Sequence, residues 1–313
     1  MEAVTWPRDL FAEGLPEGFD DPTALPETSA DARAWQEANR SWWQDHPMRY
    51  DWAQTLRLEP GTREFFQELD RRFLSAASTF LPPRQRPFDV LIPYEDLPRM
   101  DVLEIGTGSG THASLLAEHA RSFTGIDLTP EAIDITQARF DAFGLRGNLL
   151  VMDAERLDFP DESFDFVWSW GVVHHSSNTG AILMEIRRVL RPGGSAVCMV
   201  YNRSLWGYYM IAGFIRGALM GDLLKTRSLH RTVQRTTDGA MARYYTGTEW
   251  RQLATAQGLR VESVQVYGDK SELVPLPGGR LKTRILRILP DGIARLFLHR
   301  LRQGSFLVSR LSR

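Results

Sequence analysis

The sequence predicts an α/β protein in which helices cover both faces of a mostly parallel sheet. Two observations carry this prediction. From Asp101 onward, short apolar runs alternate with segments whose apolar residues recur at helical spacing. A glycine-rich turn also joins the first apolar run to the first helical segment, as in many parallel sheets. The seven predicted strands are 102–105, 123–126, 149–152, 164–170, 196–201, 259–267 and 305–308.

The helices between these strands have recognisable start and stop signals. Thr129, followed by a proline, predicts a helix start, and Gly144 predicts the end of that helix. The Pro-Gly-Gly run at 192–194 predicts a turn before the fifth strand. Thr246 and Glu249 form a capping box for a helix that ends before the sixth strand.

The chain divides into an N-terminal part and a main domain. Residues 1–98 are predicted to form an arm and a helical cap, and residues 99–313 the main domain, with insertions at 203–245 and 269–303. The N-terminal part is dense in tryptophan, and these rings either pack the arm onto the main domain or cover a ligand. The tryptophans are Trp35, Trp42, Trp43 and Trp52.

Composition limits the functions open to the chain. Its 313 residues carry a formal net charge of -2, which does not favour nucleic-acid binding. Cys198 is the only cysteine and no apolar leader is present near the N-terminus, so we expect a reducing, cytoplasmic location. The apolar run 205–224 contains Arg216 and Asp222, so we do not expect it to span a membrane. No histidine or cysteine cluster predicts a metal site.

Residues 104–111 read Glu-Ile-Gly-Thr-Gly-Ser-Gly-Thr at the end of the first predicted strand. Such a turn places backbone N–H groups and the positive end of a helix at the carboxyl edge of the sheet, where ligands of α/β proteins bind. The glycine spacing differs from that of the dinucleotide fingerprint, and no Gly-Lys-Ser or Gly-Lys-Thr follows as in a P-loop. The turn therefore indicates a different kind of ligand.

Three acids lie at the ends of the first three predicted strands. Glu104 precedes the glycine turn, where it would repel a pyrophosphate but attract the sulfonium and ammonium groups of S-adenosylmethionine. Asp127 ends the second strand, where a carboxylate can accept hydrogen bonds from two ribose hydroxyls. Asp153, next to Ala154, is placed to bond an adenine amino group. Each acid alone could be a helix cap or a solvated loop residue, but the three together favour this cofactor.

At these positions the chain resembles class I S-adenosylmethionine-dependent methyltransferases. The runs 102–110, 125–127 and 152–154 are similar to the cofactor motifs of that family, and 164–175 and 188–194 to its later motifs. The small-molecule type from ubiquinone and menaquinone biosynthesis is the most similar. The resemblance implies a Rossmann-like methyltransferase fold with seven strands, the last one antiparallel. Together with the acids, it assigns the cofactor to Glu104, Gly106, Thr107, Gly108, Gly110, Thr111, Asp127, Leu128, Asp153, Ala154 and Trp170.

Candidate catalytic residues follow the fourth and fifth predicted strands. His174 and His175 come after the fourth strand, and a neutral imidazole can remove a proton from the acceptor if the acceptor has one to lose. Similar histidine pairs occur in some sugar and phenol O-methyltransferases of this type. The alternative is that one histidine only caps the turn. Tyr201 ends the fifth strand and could orient an acceptor.

The acceptor is predicted to be a small amphipathic or anionic molecule. Its predicted contacts are Tyr50, Tyr208, Arg243 and Tyr244, which offer aromatic surface and a cation. We expect both insertions to wall the acceptor pocket, and a weak membrane-surface contact is the rival explanation for their basic, amphipathic stretches. Methylation of a peptide or protein group, and cofactor binding without catalysis, are the alternative functions. The sequence predicts no oligomeric state.

Overall fold

The computed structural model describes residues 16–48, 58–235, 237, 239–276 and 279–313. Its centre is one eight-stranded sheet in the order β3-β2-β1-β4-β5-β8-β7, with β6 beside β5. The strands are β1 (Asp101–Ile105), β2 (Ser122–Asp127), β3 (Asn148–Val151), β4 (Phe164–Trp170), β5 (Leu190–Asn202), β6 (Tyr244–Tyr245), β7 (Arg260–Tyr267) and β8 (Phe306–Ser312). β8 is antiparallel to both of its neighbours, β5 and β7, and the other pairings are parallel. The predicted fold class is confirmed.

The strand count and several strand boundaries differ from the prediction, β5 most of all. β6 is an eighth strand of two residues inside the first insertion, where Tyr244 lies opposite Tyr201 of β5. β5 begins at Leu190 rather than at residue 196. The predicted turn at 192–194 is instead part of an irregular strand start, which pairs with β4 across a register shift.

The α-helices are α1 (Ser29–Asp45), α2 (Arg63–Phe80), α3 (Thr111–Ala117), α4 (Pro130–Phe143), α5 (Thr179–Val189), α6 (Gly217–Leu219), α7 (Asp222–Thr226), α8 (Leu229–Gln234), α9 (Gly247–Ala256), α10 (Arg280–Ile288) and α11 (Asp291–Arg295). Among the described residues, they are accompanied by π-helices at Leu205–Arg216 and Leu296–Arg300 and by 3-10 turns at Leu97–Arg99, Val173–His175 and Lys270–Leu273. The predicted caps at Thr129, Gly144 and Thr246 are confirmed. Within the described part of the chain, no helix is long and apolar enough to cross a membrane.

Helices cover both faces of the sheet. On one face, α5 and α9 pack through residues such as Ile186 and Trp250. On the other face, α2, α3 and α4 contribute Phe80, Leu116 and Phe140. Each helix thus buries its apolar stripe against the sheet, as expected for a parallel sheet with crossover helices. Because β2 and β4 are both parallel to β1, their carboxyl ends lie at the same edge of the sheet as the glycine turn that follows β1.

A buried ion pair joins α2 to α4 and to the glycine turn. Arg139 of α4 is fully buried, and its Nη1 donates to both carboxylate oxygens of Asp70 of α2, at 2.8 and 2.9 Å. Its Nε donates to the carbonyl oxygen of Ser109 at 2.7 Å. The Thr111 hydroxyl donates to Asp70 at 2.8 Å. A guanidinium at this depth is tolerated only when it is paired and hydrogen-bonded, so these contacts hold the three segments together.

Removing the acid of this pair should destabilise the protein. We expect Asp70→Asn to lower the free energy of unfolding by about 2 to 3 kcal/mol, because it leaves the buried Arg139 without a counter-charge. Asp96→Asn is the matched control, since its partner Arg99 is exposed and the cost should stay below about 1 kcal/mol. Urea denaturation of the ligand-free protein measures both. Equal losses in the two variants would contradict the importance of the Arg139 pair.

Candidate active site

The glycine turn lies between β1 and α3 with its backbone facing a cleft. Gly106 has φ +82°, and a Cβ there would lie 2.2 Å from Cγ2 of Val172, so no other residue fits. A Cβ on Gly108 would meet nothing within 4 Å, because this part of the turn borders open space. Gly110, in the left-handed conformation, is the residue from which α3 starts. The turn can therefore accept a ligand against its backbone, as predicted.

Asp127 closes one side of the turn. Its Oδ2 accepts the N–H of Gly108 at 3.1 Å, and its Oδ1 accepts the N–H and the hydroxyl of Thr129, both at 3.1 Å. Burial raises the pKa of this carboxyl above its ordinary value, against the lowering effect of these hydrogen bonds. The side chain lines the cleft, at the place expected for a ribose partner.

Glu104 lies at the end of β1 and is buried. Burial, and secondarily the nearby charge of Asp127, raises the pKa of Glu104 well above its ordinary value, while Arg139 opposes this shift. Among the described residues, neither Oε2 of Glu104 nor Oγ1 of Thr107 has a hydrogen-bond partner, although both atoms are buried. A buried polar atom without a partner is costly, so these two atoms indicate a place for a polar or cationic ligand group.

Helix α1 covers the far end of the cleft. Gln36 donates from Nε2 to Oδ1 of Asp153 at 2.8 Å, and Asn39 donates to the carbonyl oxygen of His175 at 2.7 Å. With Trp43, these side chains line a small pocket of about 50 Å³. The predicted cofactor residues Leu128, Asp153 and Ala154 line the same pocket. Sequence analysis missed the two amides, and the density of tryptophans was the only signal that pointed to this helix.

The cleft continues into a larger cavity of about 430 Å³. The two pockets share Gly106, Asp127 and His175 in their linings, so they form one cleft. Beyond the glycine turn, most of its wall is apolar and comes from Met48, Phe73, Ala76, Ala77, Phe80, Met199 and Phe306. Trp170 lies at the boundary and stacks on Trp168 at a centroid distance of 5.5 Å.

The expectation that both insertions wall this cavity is wrong for the described residues. None of the lining residues belongs to 203–245 or 269–303. Helix α2 occupies this side of the cavity instead, because its apolar stripe continues past the residues that pack on α4. The helical periodicity of Phe73 with Phe66 and Leu69 does not by itself distinguish packing on a helix from facing a cavity.

The two predicted histidines have different surroundings. His175 lines the cleft, and its Nδ1 lies 2.7 Å from the carbonyl oxygen of Met241, so a neutral ring carries its proton on Nδ1 and leaves Nε2 as the basic atom. His174 is completely buried, and within the described chain neither ring nitrogen has a hydrogen-bond partner. Burial, and secondarily His175, holds the pKa of His174 well below its ordinary value, so its ring stays neutral.

The predicted aromatic residues form a chain that leads away from the cleft. Tyr201 lines the cavity, and its ring centre lies 4.1 Å from that of His174 and 5.2 Å from that of Tyr244. Tyr244 in turn contacts Tyr208 at 4.7 Å. Neither of these last two tyrosines is part of the cavity wall, and the Tyr208 hydroxyl is bonded to Nδ1 of His230 at 2.6 Å. The structure thus places them behind Tyr201 rather than against an acceptor.

Arg243 does not line the cleft. Its guanidinium is buried and donates to the carbonyl oxygens of Ser176, Ser177, Pro22 and Ala24. Burial lowers the pKa of Arg243 from its ordinary value. The expected contact with an anionic acceptor is therefore replaced by a tie between the N-terminal arm and the segment after β4. The other predicted acceptor residue, Tyr50, lies outside the described residues.

Thr111 also differs from its expected role. Its hydroxyl donates to Asp70 and accepts from Nη2 of Arg139 at 3.3 Å, so the buried ion pair already engages it. The residue still borders the cavity beside the glycine turn. Its side chain helps to fix the turn, and only its position next to Gly110 relates it to a ligand.

Residues 103–198 match a protein family described as "Methyltransferase domain". These residues are a methyltransferase domain. It contains the glycine turn, the three acids and both histidines described above.

Curated relatives are similar to this chain over a short stretch. A phthiotriol/phenolphthiotriol dimycocerosates methyltransferase of Mycobacterium leprae is 42% identical over 95 residues, which are 30% of this chain and 34% of that protein. A fatty-acid O-methyltransferase of Mycolicibacterium smegmatis is 40% identical over 95 residues, with the same coverage. The chain therefore matches about a third of the length of these relatives. Among solved structures, an S-adenosylmethionine-dependent methyltransferase from Aquifex aeolicus has a TM-score of 0.48 at 15% identity, covering 82% of this chain and 98% of that one.

The raised pKa of Glu104 predicts a pH-dependent stability. The folded, ligand-free protein holds a proton on Glu104 that the unfolded chain releases above the ordinary pKa of 4.5. The corresponding stability is complete below pH 4.5 and is lost as the pH rises through the folded pKa. Relative to Glu104→Gln, the wild type should therefore lose free energy of unfolding as the pH rises above the ordinary pKa of 4.5, by up to about 1.4 kcal/mol per pH unit until the folded pKa is passed.

Chemical denaturation across this pH range, without ligand, measures the difference between the two proteins. Glu64→Gln on α2 is the control, because Glu64 is exposed and the variant makes the same charge change. Its difference from the wild type should not vary with pH. A constant difference for Glu104→Gln as well would show that Glu104 is ionised in the folded protein.

Proposed function

We propose that this protein transfers a methyl group from S-adenosylmethionine to a small, lipid-like acceptor. One observation carries the proposal. A single cleft joins an end lined by acids and the glycine turn to an apolar cavity, and His175 lies where the two parts meet. The methyltransferase domain supplies the first part, and helices outside that domain supply much of the second.

The residues of the first part fit the proposed cofactor. Oε2 of Glu104 and Oγ1 of Thr107 are buried polar atoms that lack a partner among the described residues, and each can accept a hydrogen bond. Asp127 has room to accept ribose hydroxyls beside Gly108, and Asp153 lies in the small pocket with Leu128 and Ala154. When bound, S-adenosylmethionine supplies an electrophilic methyl group on a positively charged sulfur.

The second part favours an apolar or amphipathic acceptor. Its wall of phenylalanine, methionine and alanine side chains offers few hydrogen bonds, whereas a peptide would need several for its backbone. Arg72 is at the rim, paired with Glu68 at 2.8 Å, and can attract an anionic group. Two relatives named above act, by their names, on fatty acids and on phthiotriol lipids. We extend the lipid-like character, but no particular acceptor, to this chain.

The roles of the catalytic candidates follow from their positions. His175 can accept a proton from a hydroxyl acceptor through Nε2, because Met241 fixes the tautomer of its ring. Tyr201 lies beside His175 in the cavity wall, with ring centres 5.7 Å apart, and can orient the acceptor there. His174 touches both rings but stays neutral and buried, so it positions them. When both ligands fill the cleft, it can align the reactants and exclude water, which is the main requirement of methyl transfer.

Cofactor binding tests the first half of the proposal. Titration calorimetry should show binding of S-adenosylhomocysteine, and Asp127→Ala and Asp127→Asn should each weaken it by at least about 1 kcal/mol through lost charged hydrogen bonds. Asp134→Ala, on the exposed side of α4, is the matched control and should bind as the wild type does. Binding of NADH without binding of S-adenosylhomocysteine would contradict the assignment.

The requirement for a base depends on the acceptor and gives a second prediction. With S-adenosylmethionine carrying a labelled methyl group, a long-chain phenol or alcohol must lose a proton, so His175→Gln should lower kcat by about 10²- to 10⁴-fold. A long-chain fatty acid is already ionised at neutral pH, so the same variant should transfer to it at nearly the wild-type rate. His119→Gln, on the far side of the domain, is the control, and cofactor affinity should be unchanged in both variants.

The same assay distinguishes the alternative functions. Transfer to peptides but to none of the lipids would favour a peptide-tailoring enzyme. Cofactor binding without transfer to any acceptor of the panel would favour a non-catalytic binding protein. Equal loss of kcat on the phenol and on the fatty acid in His175→Gln would remove the proposed base function.

A further inference from the structure

Exposed apolar side chains are concentrated in the two insertions. Of the seventeen large apolar side chains that are exposed in the described chain, thirteen lie in 203–245 or 269–303, although these segments make up only a quarter of the sequence. They are Leu205, Met210, Phe214, Leu219, Met220, Leu224, Leu276, Leu281, Ile285, Ile288, Ile293, Leu296 and Leu301. Single exposed apolar residues are ordinary, but such a concentration indicates a binding surface.

Helix α10 shows the pattern most clearly. Leu281, Ile285 and Ile288 recur at the spacing of one helix face and are 64%, 36% and 73% exposed. No residue of α10 is buried, so the protein core does not use this apolar face. The stripe beside it consists of Arg280, Arg284 and Arg287 at the same spacing. An apolar face bordered by arginines is typical of helices that lie in the interface of a membrane.

The two insertions lie side by side. Trp206 of the first π-helix donates from Nε1 to the carbonyl oxygen of Glu272 at 3.2 Å, and its ring packs edge-on against Phe297 at 5.9 Å. Burial lowers the pKa of Lys282 on α10, and the charge of Arg216 on the π-helix lowers it further. The two cations are therefore close to each other. The exposed apolar residues of both insertions therefore belong to one region, which we call the insertion surface.

The insertion surface carries cations that the protein does not neutralise. In the described part of the chain, no carboxylate lies within 4.0 Å of a cationic nitrogen of Arg216, Arg280, Arg284, Arg287 or Arg300. Other basic residues of the insertions do have acidic partners: Lys225 and Arg235 pair with Asp222, Arg231 with Asp20, and Lys270 with Asp291. Unpaired cations thus accompany exposed apolar residues on this surface, most closely on α10.

We propose that the insertion surface docks on an anionic phospholipid bilayer. The apolar side chains would enter the boundary between headgroups and acyl chains, and the arginines would bind lipid phosphates. A second copy of the chain is a poorer occupant, because a two-fold interface would bring the same uncompensated arginines together. The proposal does not depend on methyl transfer, since it concerns a surface that lies apart from the cleft wall.

Vesicle co-sedimentation with the full chain tests the proposal. The protein should sediment with vesicles of phosphatidylcholine mixed with phosphatidylglycerol, and much less with phosphatidylcholine alone, and added salt should weaken the binding. The triple variants Leu281→Ser/Ile285→Ser/Ile288→Ser and Arg280→Gln/Arg284→Gln/Arg287→Gln should each lower the partition coefficient at least about tenfold. Because these residues are exposed, neither variant should change the circular dichroism spectrum or the affinity for S-adenosylhomocysteine.

Matched variants outside the insertion surface serve as controls. Arg33→Gln/Arg156→Gln/Arg251→Gln removes the same charge from other exposed positions, and Leu25→Ser/Met184→Ser removes exposed apolar side chains elsewhere. Both should bind vesicles as the wild type does. Equal losses in test and control variants, equal binding to neutral and anionic vesicles, or no binding at all would each overturn the proposal. The protein could also fail to bind vesicles and form a dimer in analytical ultracentrifugation that the α10 serine variant dissociates. This result would overturn the proposal as well, because the occupant of the surface would then be a second copy of the chain.

Discussion

The rest of the site depends on the burial of one charge, the guanidinium of Arg139. An unpaired cation under the glycine turn would be too costly, so Asp70 must approach from α2. This requirement brings a helix from outside the methyltransferase domain against α4 and the turn. Once α2 is held there, the residues of its next two turns, Phe73 to Phe80, form the apolar wall of the cavity. The ion pair that fixes the glycine turn therefore also fixes the apolar wall of the cavity.

The guanidinium of Arg139 also acts on a buried carboxyl group near the glycine turn. Burial raises the pKa of both Glu104 and Asp127, and at Glu104 the charge of Asp127 adds to this effect. Arg139 offsets part of this effect at Glu104. A cationic ligand group at the turn would supply the remaining compensation. The ligand-free cleft is thus arranged so that a positive charge is stabilised more strongly than a neutral or negative one, which is common for functional sites.

Cofactor and acceptor sides of the cleft have different origins in the chain. The glycine turn, the acids and the histidines lie within residues 103–198, which are the residues that match the methyltransferase family. Most of the apolar wall comes from α2, β5 and β8, and α1 closes the other end. The family match therefore concerns the part of the cleft at the glycine turn, and the apolar wall has to be understood from this structure. The insertions lie away from both and present an exposed basic and apolar surface instead.

Sequence alone determined the parallel sheet, the glycine turn and the three acids, because each depends on local order. Strand and helix periods, cap residues and the position of an acid just after a strand are all expressed within a few neighbouring residues. The structure confirmed these elements with shifted boundaries. The additional strand β6 escaped notice because two residues are too few to produce a pattern.

Only the tertiary structure decided which distant side chains meet. Gln36 reaches Asp153 across 117 positions, and Arg243 reaches the carbonyl oxygen of Pro22 across 221. No periodicity encodes such pairs, so Arg243 was expected to contact the acceptor, although its guanidinium is engaged by backbone carbonyl oxygens. His174 and His175 are adjacent in the chain but differ in exposure for the same reason. Burial is set by what packs over a residue, and those packing elements come from far away in the sequence.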